Sequence, residues 1–270
     1  MEALFSVAGR RRLDEFARPG LLCAFDFDGT LAPIVPRPEQ ARLPDAIRGQ
    51  LVQLSELAPV AVITGRSLAD IRGRLGFEPD FIVGNHGLEG VPGWEANAAR
   101  HRALCDGWRE QLARALPKLQ DPGILVEDKR YSLSLHYRRA CNADAASRLA
   151  GLFRLLQPPP RVVPGKQVFN LVPPDAPHKG AALQQLMKAH GASRALYAGD
   201  DVTDEDAFRL PRREVLSIRI EHAPHSAAEF FLAHPQDVAL LLSELLSRLR
   251  LAARKDLEYP EIAMSPFDSA

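Results

Sequence analysis

Short apolar runs alternate with amphipathic stretches along most of the chain, the rhythm of repeated βα units. Leu21-Leu22-Cys23-Ala24-Phe25 is apolar at every position and predicts a strand buried on both faces. After a proline-bearing loop, Asp45 is placed to cap a helix with Ile47, Leu51, Leu54 and Ala58 on one stripe. Pro59-Val60-Ala61-Val62-Ile63 predicts the next buried strand, which ends in Thr64-Gly65-Arg66. Ser67, with Asp70 three residues on, is a capping-box-like start for a helix using Leu68, Ile71 and Leu75. Phe81-Ile82-Val83 then predicts a third strand running into Gly84-Asn85-His86-Gly87.

From about Glu95 the rhythm changes. A helical stretch through about Leu116 precedes two strand-like runs at 124–127 and 131–137; a second, from about Asp144 to Leu156, precedes two more at 161–163 and 167–171. That αββαββ order predicts an antiparallel sheet with two helices on one side, a unit unlike the βα flanks. Beyond Pro173-Pro174-Asp175-Ala176-Pro177 the βα pattern resumes. A helix starts near His178 and stops at Gly191, buried strands follow at 195–198 and 215–220, and Pro235 opens a last helix striped with Val238, Leu241, Leu242, Leu245 and Leu249. Prolines concentrate where the two patterns meet, which predicts stiff junctions. The expectation is an α/β fold: a parallel-sheet core from residues 1–96 plus 176–270, an α+β insert at 97–175, and a frayed tail beyond about Tyr259.

Composition removes several function classes. Thirty-four Lys and Arg balance thirty-four Asp and Glu, so the chain lacks the basic excess that an extended nucleic acid partner calls for. Cys23, Cys105 and Cys141 are odd in number and widely spaced, which predicts reduced thiols of a cytoplasmic protein and no zinc site. The first residues interleave acid and base without the apolar stretch of a secretory leader, and no run nears the ~20 residues that span a bilayer. A soluble, cytoplasmic protein without a membrane partner is expected, a monomer by default.

The polar residues at the strand ends carry the chemistry. In an open parallel sheet, ligands bind beyond the carboxyl ends of the strands. The first strand ends in Asp26-Phe27-Asp28-Gly29-Thr30, and the period of two turns Asp26 and Asp28 to one side while the strand continues. Two carboxylates so close repel unless a cation lies between them or one keeps its proton. Another buried strand runs into Gly199-Asp200-Asp201-Val202-Thr203-Asp204-Glu205-Asp206. Thr203 and Asp206 read as a helix cap and its box partner, but Asp200 and Asp201 stand before any helix. Together the loops gather at least four carboxylates, an oxygen-only set that suits Mg²⁺. Thr64 closes the second strand with a hydroxyl. Lys179 lies in the first turn of a helix, where the dipole disfavours a cation, so an anion to neutralise is implied; alone, such a lysine is most often a solvated surface charge.

In that order, DxDGT, a strand-end Thr, a helix-start Lys and GDDxTDED resemble the haloacid dehalogenase (HAD) superfamily of phosphotransferases. Over about residues 20–245, DFDGTLAPI, VITGR, VGNHGLE, VEDK, GK and YAGDDVTDEDAF are similar to the trehalose-6-phosphate phosphatases, and the insert is similar to their C2-type cap. The resemblance implies that Asp26 is the nucleophile, forming an aspartyl-phosphate, and Asp28 the general acid and then base. It implies Mg²⁺ on the Asp26 carboxylate, the Asp28 carbonyl and Asp200, supported by Asp201 and Asp204, with Thr64 and Lys179 on the phosphoryl oxygens. Arg66, Asn85 and His86 would line the mouth of the core, His86 with a plain structural role as an equal alternative. Glu127 and Lys129, two apart on a strand-like run, would meet a glucose unit of a phosphorylated disaccharide, as would Lys166 in the next cap motif. Four residues after Lys166 the family has an acid; this chain has Asn170. That departure leaves sucrose 6-phosphate or mannosyl-3-phosphoglycerate open as the substrate, and a non-catalytic sugar-phosphate sensor is a further alternative.

Overall fold

Continuous burial of an apolar run on both faces is what a strand experiences in the middle of a parallel sheet. The computed structural model describes residues 1–165 and 167–258, apart from the side chains of Glu95 and of 255–258. Lys166 and the tail beyond Tyr259 lie outside the described residues. The chain opens with β1 (Glu2–Ala3) and α1 (Val7–Phe16), then enters β2 (Leu21–Phe25). Leu21, Cys23 and Phe25 face one apolar cluster while Leu22 and Ala24 face another, so the alternation assigns each side of β2 its own layer.

From β2 the chain moves outward through α2 (Asp45–Ser55), β3 (Val60–Ile63), α3 (Leu68–Leu75) and β4 (Phe81–Val83). Ser67 caps α3 as expected, accepting from the Asp70 N–H. Asp45 does not cap α2: Pro44 holds the capping position in extended conformation, and Asp45 is the first helical residue, paired with Arg48 at 2.8 Å. After α4 (Ala98–Ala115), β5 (Leu125–Asp128), β6 (Leu133–His136), α5 (Ala145–Phe153), β7 (Arg161–Gly165) and β8 (Val168–Val172), the chain returns through α6 (Lys179–His190) to β9 (Arg194–Gly199). The described residues finish with α7 (Glu205–Phe208), β10 (Val215–Ile220), β11 (Phe230–Leu232) and α8 (Val238–Glu258).

The larger sheet has the order β1-β11-β10-β9-β2-β3-β4, and every pairing in it is parallel. The chain leaves β2 toward β3 on one side and comes back to β9 on the other, so the strand order reverses between β2 and β9. A crevice opens at the carboxyl ends of two strands related in this way. Leu13, Leu51, Leu54, Ile71, Leu241 and Leu245 cover one face, and Leu183, Leu186, Met187 and Phe208 cover the other.

The second sheet, β5-β6-β8-β7, is antiparallel. Leu133, Leu135 and Leu171 pack with Trp108 and Leu112 of α4 and Leu149 and Phe153 of α5. The opposite face carries one cross-strand row, Glu127–Ser134–Asn170–Val163, given by the register. No described helix is long and apolar enough to cross a membrane.

Candidate active site

The reversal between β2 and β9 brings the two acidic loops together. Asp26 follows β2 directly, with its N–H still on the Ala198 carbonyl of β9 at 2.9 Å. Single oxygens of Asp26, Asp200 and Asp204 lie within 4.8 Å of one another. Two glycines permit this approach. A Cβ on Gly29 would sit 2.2 Å from Asp200 Oδ2, and Gly29 also holds φ +84, which side-chain-bearing residues rarely adopt. A Cβ on Gly199 would fall 2.3 Å from the Asp204 carboxyl carbon.

Lys179 occupies the first position of α6, after His178, whose Nδ1 accepts from the Ala181 N–H. Its ammonium reaches Asp26 Oδ1 at 2.9 Å and Asp204 Oδ1 at 2.8 Å, and its side chain is 2% exposed. Asp204 is fully buried and also accepts from Tyr197 O–H at 2.6 Å and from the Asp201 N–H at 2.9 Å. Burial pushes the Asp26 carboxyl well above its ordinary range; Lys179 opposes the shift, and Asp204 and Asp200 add to it. Burial alone would lower the Lys179 pKa, but Asp204 and Asp26 hold it above its ordinary value. Two of the three clustered carboxylates, Asp26 and Asp204, thus face one buried ammonium, and the all-oxygen donor set of the three fits a hard divalent cation.

Asp28 is oriented differently. β2 has ended at Phe25, so the period of two no longer applies, and the Asp28 carboxylate turns to Arg66. Arg66 donates from Nε and Nη2 to both Asp28 oxygens at 2.6 and 2.7 Å, and from Nη1 to Asp70 at 2.6 Å. Thr64 is buried beyond β3, where its hydroxyl oxygen accepts from the Arg66 N–H at 3.2 Å. The 201–204 turn is capped by Asp201, with Asp204 as its box partner, rather than by Thr203 and Asp206.

Asn85 is fully buried and joins the two sheets. Its amide N–H donates to the Lys129 carbonyl at 2.8 Å, and its oxygen accepts from Ser132 at 3.0 Å. His86 follows in left-handed conformation at φ 57, and burial lowers its pKa well below the ordinary value, keeping the ring neutral. Lys129 Nζ lies 3.8 Å from Glu127 and donates to the Gly65 carbonyl at 3.4 Å. Glu127 also pairs with His136 Nε2 at 2.9 Å, the main reason its carboxyl stays below its usual range. Asn170 is engaged within the sheet, accepting from Ser134 at 2.6 Å and donating to the Val163 carbonyl at 3.4 Å.

Asp26, Asp200, Asp204 and Lys179 therefore meet in one cluster, Arg66 and Asp28 form a neighbouring pair, and Glu127 lies on the second sheet with Lys129 in the turn just after β5. A cavity of about 770 Å³ opens from Gly29, Asp200 and Asp201 on one side to Pro164 and Gly165 on the other. Sequence reasoning missed Tyr197, Ser134, His136 and Arg219. The phenol of Tyr197 inside the apolar run Ala195-Leu196-Tyr197-Ala198 was the one available sign, because a buried hydroxyl needs a partner.

Known proteins are similar to this chain to different extents. A trehalose-phosphate phosphatase of Mycobacterium marinum is 33% identical, over 88% of this chain and 64% of that protein. An uncharacterized glycosyl hydrolase of Mycobacterium tuberculosis is 36% identical over 94% of this chain, which spans only 20% of that longer protein. The C-terminal domain of the C. albicans trehalose-6-phosphate phosphatase superposes with a TM-score of 0.71, covering 91% of this chain and 98% of that domain at 22% identity, which speaks for the HAD-like fold alone. The trehalose-phosphatase family model matches residues 24–236, most of the chain, and the chain belongs to the trehalose-phosphatase family.

Proposed function

We propose that this chain is a Mg²⁺-dependent phosphatase that releases trehalose and inorganic phosphate from trehalose 6-phosphate. The observation that carries the reading is the buried contact of Asp26 with Lys179 beside Asp200 and Asp204, at the reversal point of the parallel sheet. Asp26 and Asp200 would hold the metal with the Asp28 carbonyl, Asp201 and Asp204 supporting. A bound divalent cation there supplies charge that lets a carboxylate approach a phosphate dianion.

In this reading an Asp26 oxygen bonds to phosphorus as the bond from phosphorus to the sugar oxygen breaks, and Asp28 gives its proton to that leaving oxygen. Water then attacks the phosphorus of the aspartyl-phosphate, its proton passes to Asp28, and Asp26 is freed. Lys179 offsets charge on the transferring oxygens and Thr64 donates its hydroxyl proton to them. Arg66 orients Asp28 through its two-point contact.

Residues 97–175 act as a cap over the core of 1–96 plus 176–270. In the row on the face away from α4 and α5, Ser134 and Asn170 are buried, and it is half-exposed Glu127, with Lys129, that would meet sugar hydroxyls. Asn85 braces the turn after β5 against the core, His86 shapes the mouth, and Lys166 is a further sugar-binding residue in this reading. A second substrate reading, another phosphorylated sugar, draws on Asn170, whose amide is spent on Ser134 and Val163 instead of presenting a carboxylate. Phosphate release by the purified protein with Mg²⁺ across trehalose 6-phosphate, sucrose 6-phosphate and mannosyl-3-phosphoglycerate decides between them. Preference for trehalose 6-phosphate is the expected result, and release from none overturns the enzymatic reading.

A further inference from the structure

Asp200 is a residue of the proposed metal site whose carboxylate must be aimed from a short loop, and the loop is held from behind by a cation on another strand. Arg219 lies on β10 in register with Gly199, the residue before Asp200. Its Nη2 donates to the Asp200 carbonyl at 2.6 Å, and its Nη1 donates to the Asp201 carbonyl at 3.3 Å and to Glu205 Oε1 at 3.1 Å. Glu205 in turn accepts the Ala227 N–H on Oε2 at 2.8 Å, which ties the guanidinium to the loop before β11. The Arg219 side chain is 14% exposed, and its buried Nε finds no protein partner among the described residues. The fork is therefore set for the two loop carbonyls at the expense of one of its own donors.

The geometry has a chemical consequence. Consecutive carbonyls at Asp200 and Asp201 point to Arg219, the Asp201 N–H is fixed by Asp204, and the lack of a side chain on Gly29 leaves room for the Asp200 carboxylate. We infer that Arg219 is a positioning residue that sets the affinity of the site for its divalent cation, by holding the 200–201 backbone so that the Asp200 carboxylate meets Asp26. The inference rests on the metal reading above. An outer partner of this kind governs ligand orientation, and its loss typically costs about 10- to 100-fold in metal affinity. Lysine cannot replace the fork, because a single ammonium does not span two carbonyls and a carboxylate with fixed geometry.

The test is a calorimetric titration of the full chain with Mg²⁺ alone, beside the Mg²⁺ dependence of phosphate release. Arg219→Met is expected to weaken Mg²⁺ binding by about 10- to 100-fold and to raise the half-saturating Mg²⁺ concentration equally, with kcat at saturating Mg²⁺ largely retained. Arg219→Lys should fall between Met and the parent. Unchanged Mg²⁺ affinity in Arg219→Met overturns the inference, as does a loss of kcat that saturating Mg²⁺ leaves in place while binding is unaltered. If Arg219→Met does not fold, Glu205→Gln loosens the same fork, and a smaller weakening in the same direction is expected; no weakening counts against it. A parent protein that takes up no Mg²⁺ overturns the metal reading itself, whereas parent and variant binding alike overturns only the role of Arg219.

Discussion

The molecule contains two lysine–carboxylate pairings that differ in almost every physical respect. Lys179 is sealed between Asp26 and Asp204 with contacts of 2.9 and 2.8 Å and side chains 2%, 6% and 0% exposed. Lys129 lies 3.8 Å from a Glu127 whose side chain is half exposed. In the first, low local dielectric makes each charge depend on the others, so the group behaves as one unit. In the second, burial lowers the Lys129 pKa and Glu127 only partly restores it, leaving donors and an acceptor that are not committed to each other. In the proposed reading the same residue types would serve two ends: a locked pair suits a fixed reacting centre, and a loose pair suits a surface that selects among sugar hydroxyls.

The comparison breaks most visibly at Asp26. Asp26→Asn should leave a folded protein whose turnover has fallen by about 10⁴-fold or more on any phosphate ester, the scale on which a catalytic unit fails when one member is lost. Steady-state assays on a sugar phosphate and an aryl phosphate would both register it, and substantial residual turnover would remove Asp26 as the nucleophile.

Lys179→Met comes next. Loss of one preorganised charge lowers kcat by about 10²- to 10³-fold. The variant also loses about 3–5 kcal/mol of stability, because Asp26 and Asp204 are left buried and uncompensated. Denaturant unfolding should show that loss for Lys179→Met and almost none for Lys129→Ala; equal losses would erase the distinction between the two pairs.

A smaller effect concerns pH. The Asp26 carboxyl is raised by burial, so it keeps its proton to higher pH than a free aspartate, and a cation must displace that proton. Mg²⁺ affinity should therefore rise as pH increases from about 5 to about 8, with proton release seen in the titration. A flat profile would mean that Asp26 is charged throughout.

Much of this was legible in the chain because burial leaves plain traces. The runs at 21–25 and 60–63 are buried in the larger sheet and read as strands from apolarity alone. The two acidic loops were legible because each follows such a run. Elements held by distant partners were not: β1 is two residues long and exists through its pairing with β11, and α1 offers only Leu13 and Phe16 as large buried side chains beside its arginines. Asp28 shows the limit of periodicity, since a strand that ends at Phe25 leaves its neighbour to be aimed by Arg66 from another loop. Arg219 and Tyr197 reach the site only through sheet pairing, which no local pattern announces.

The most direct test of the division between reacting core and selecting cap is kcat/KM of Lys129→Ala on trehalose 6-phosphate and on p-nitrophenyl phosphate, measured side by side. Removing a charged hydrogen-bond donor should cost about 10- to 100-fold on the sugar phosphate and leave the aryl phosphate, which has no distal sugar, nearly unchanged. Equal losses on both substrates would contradict the account and make Lys129 part of the phosphoryl site.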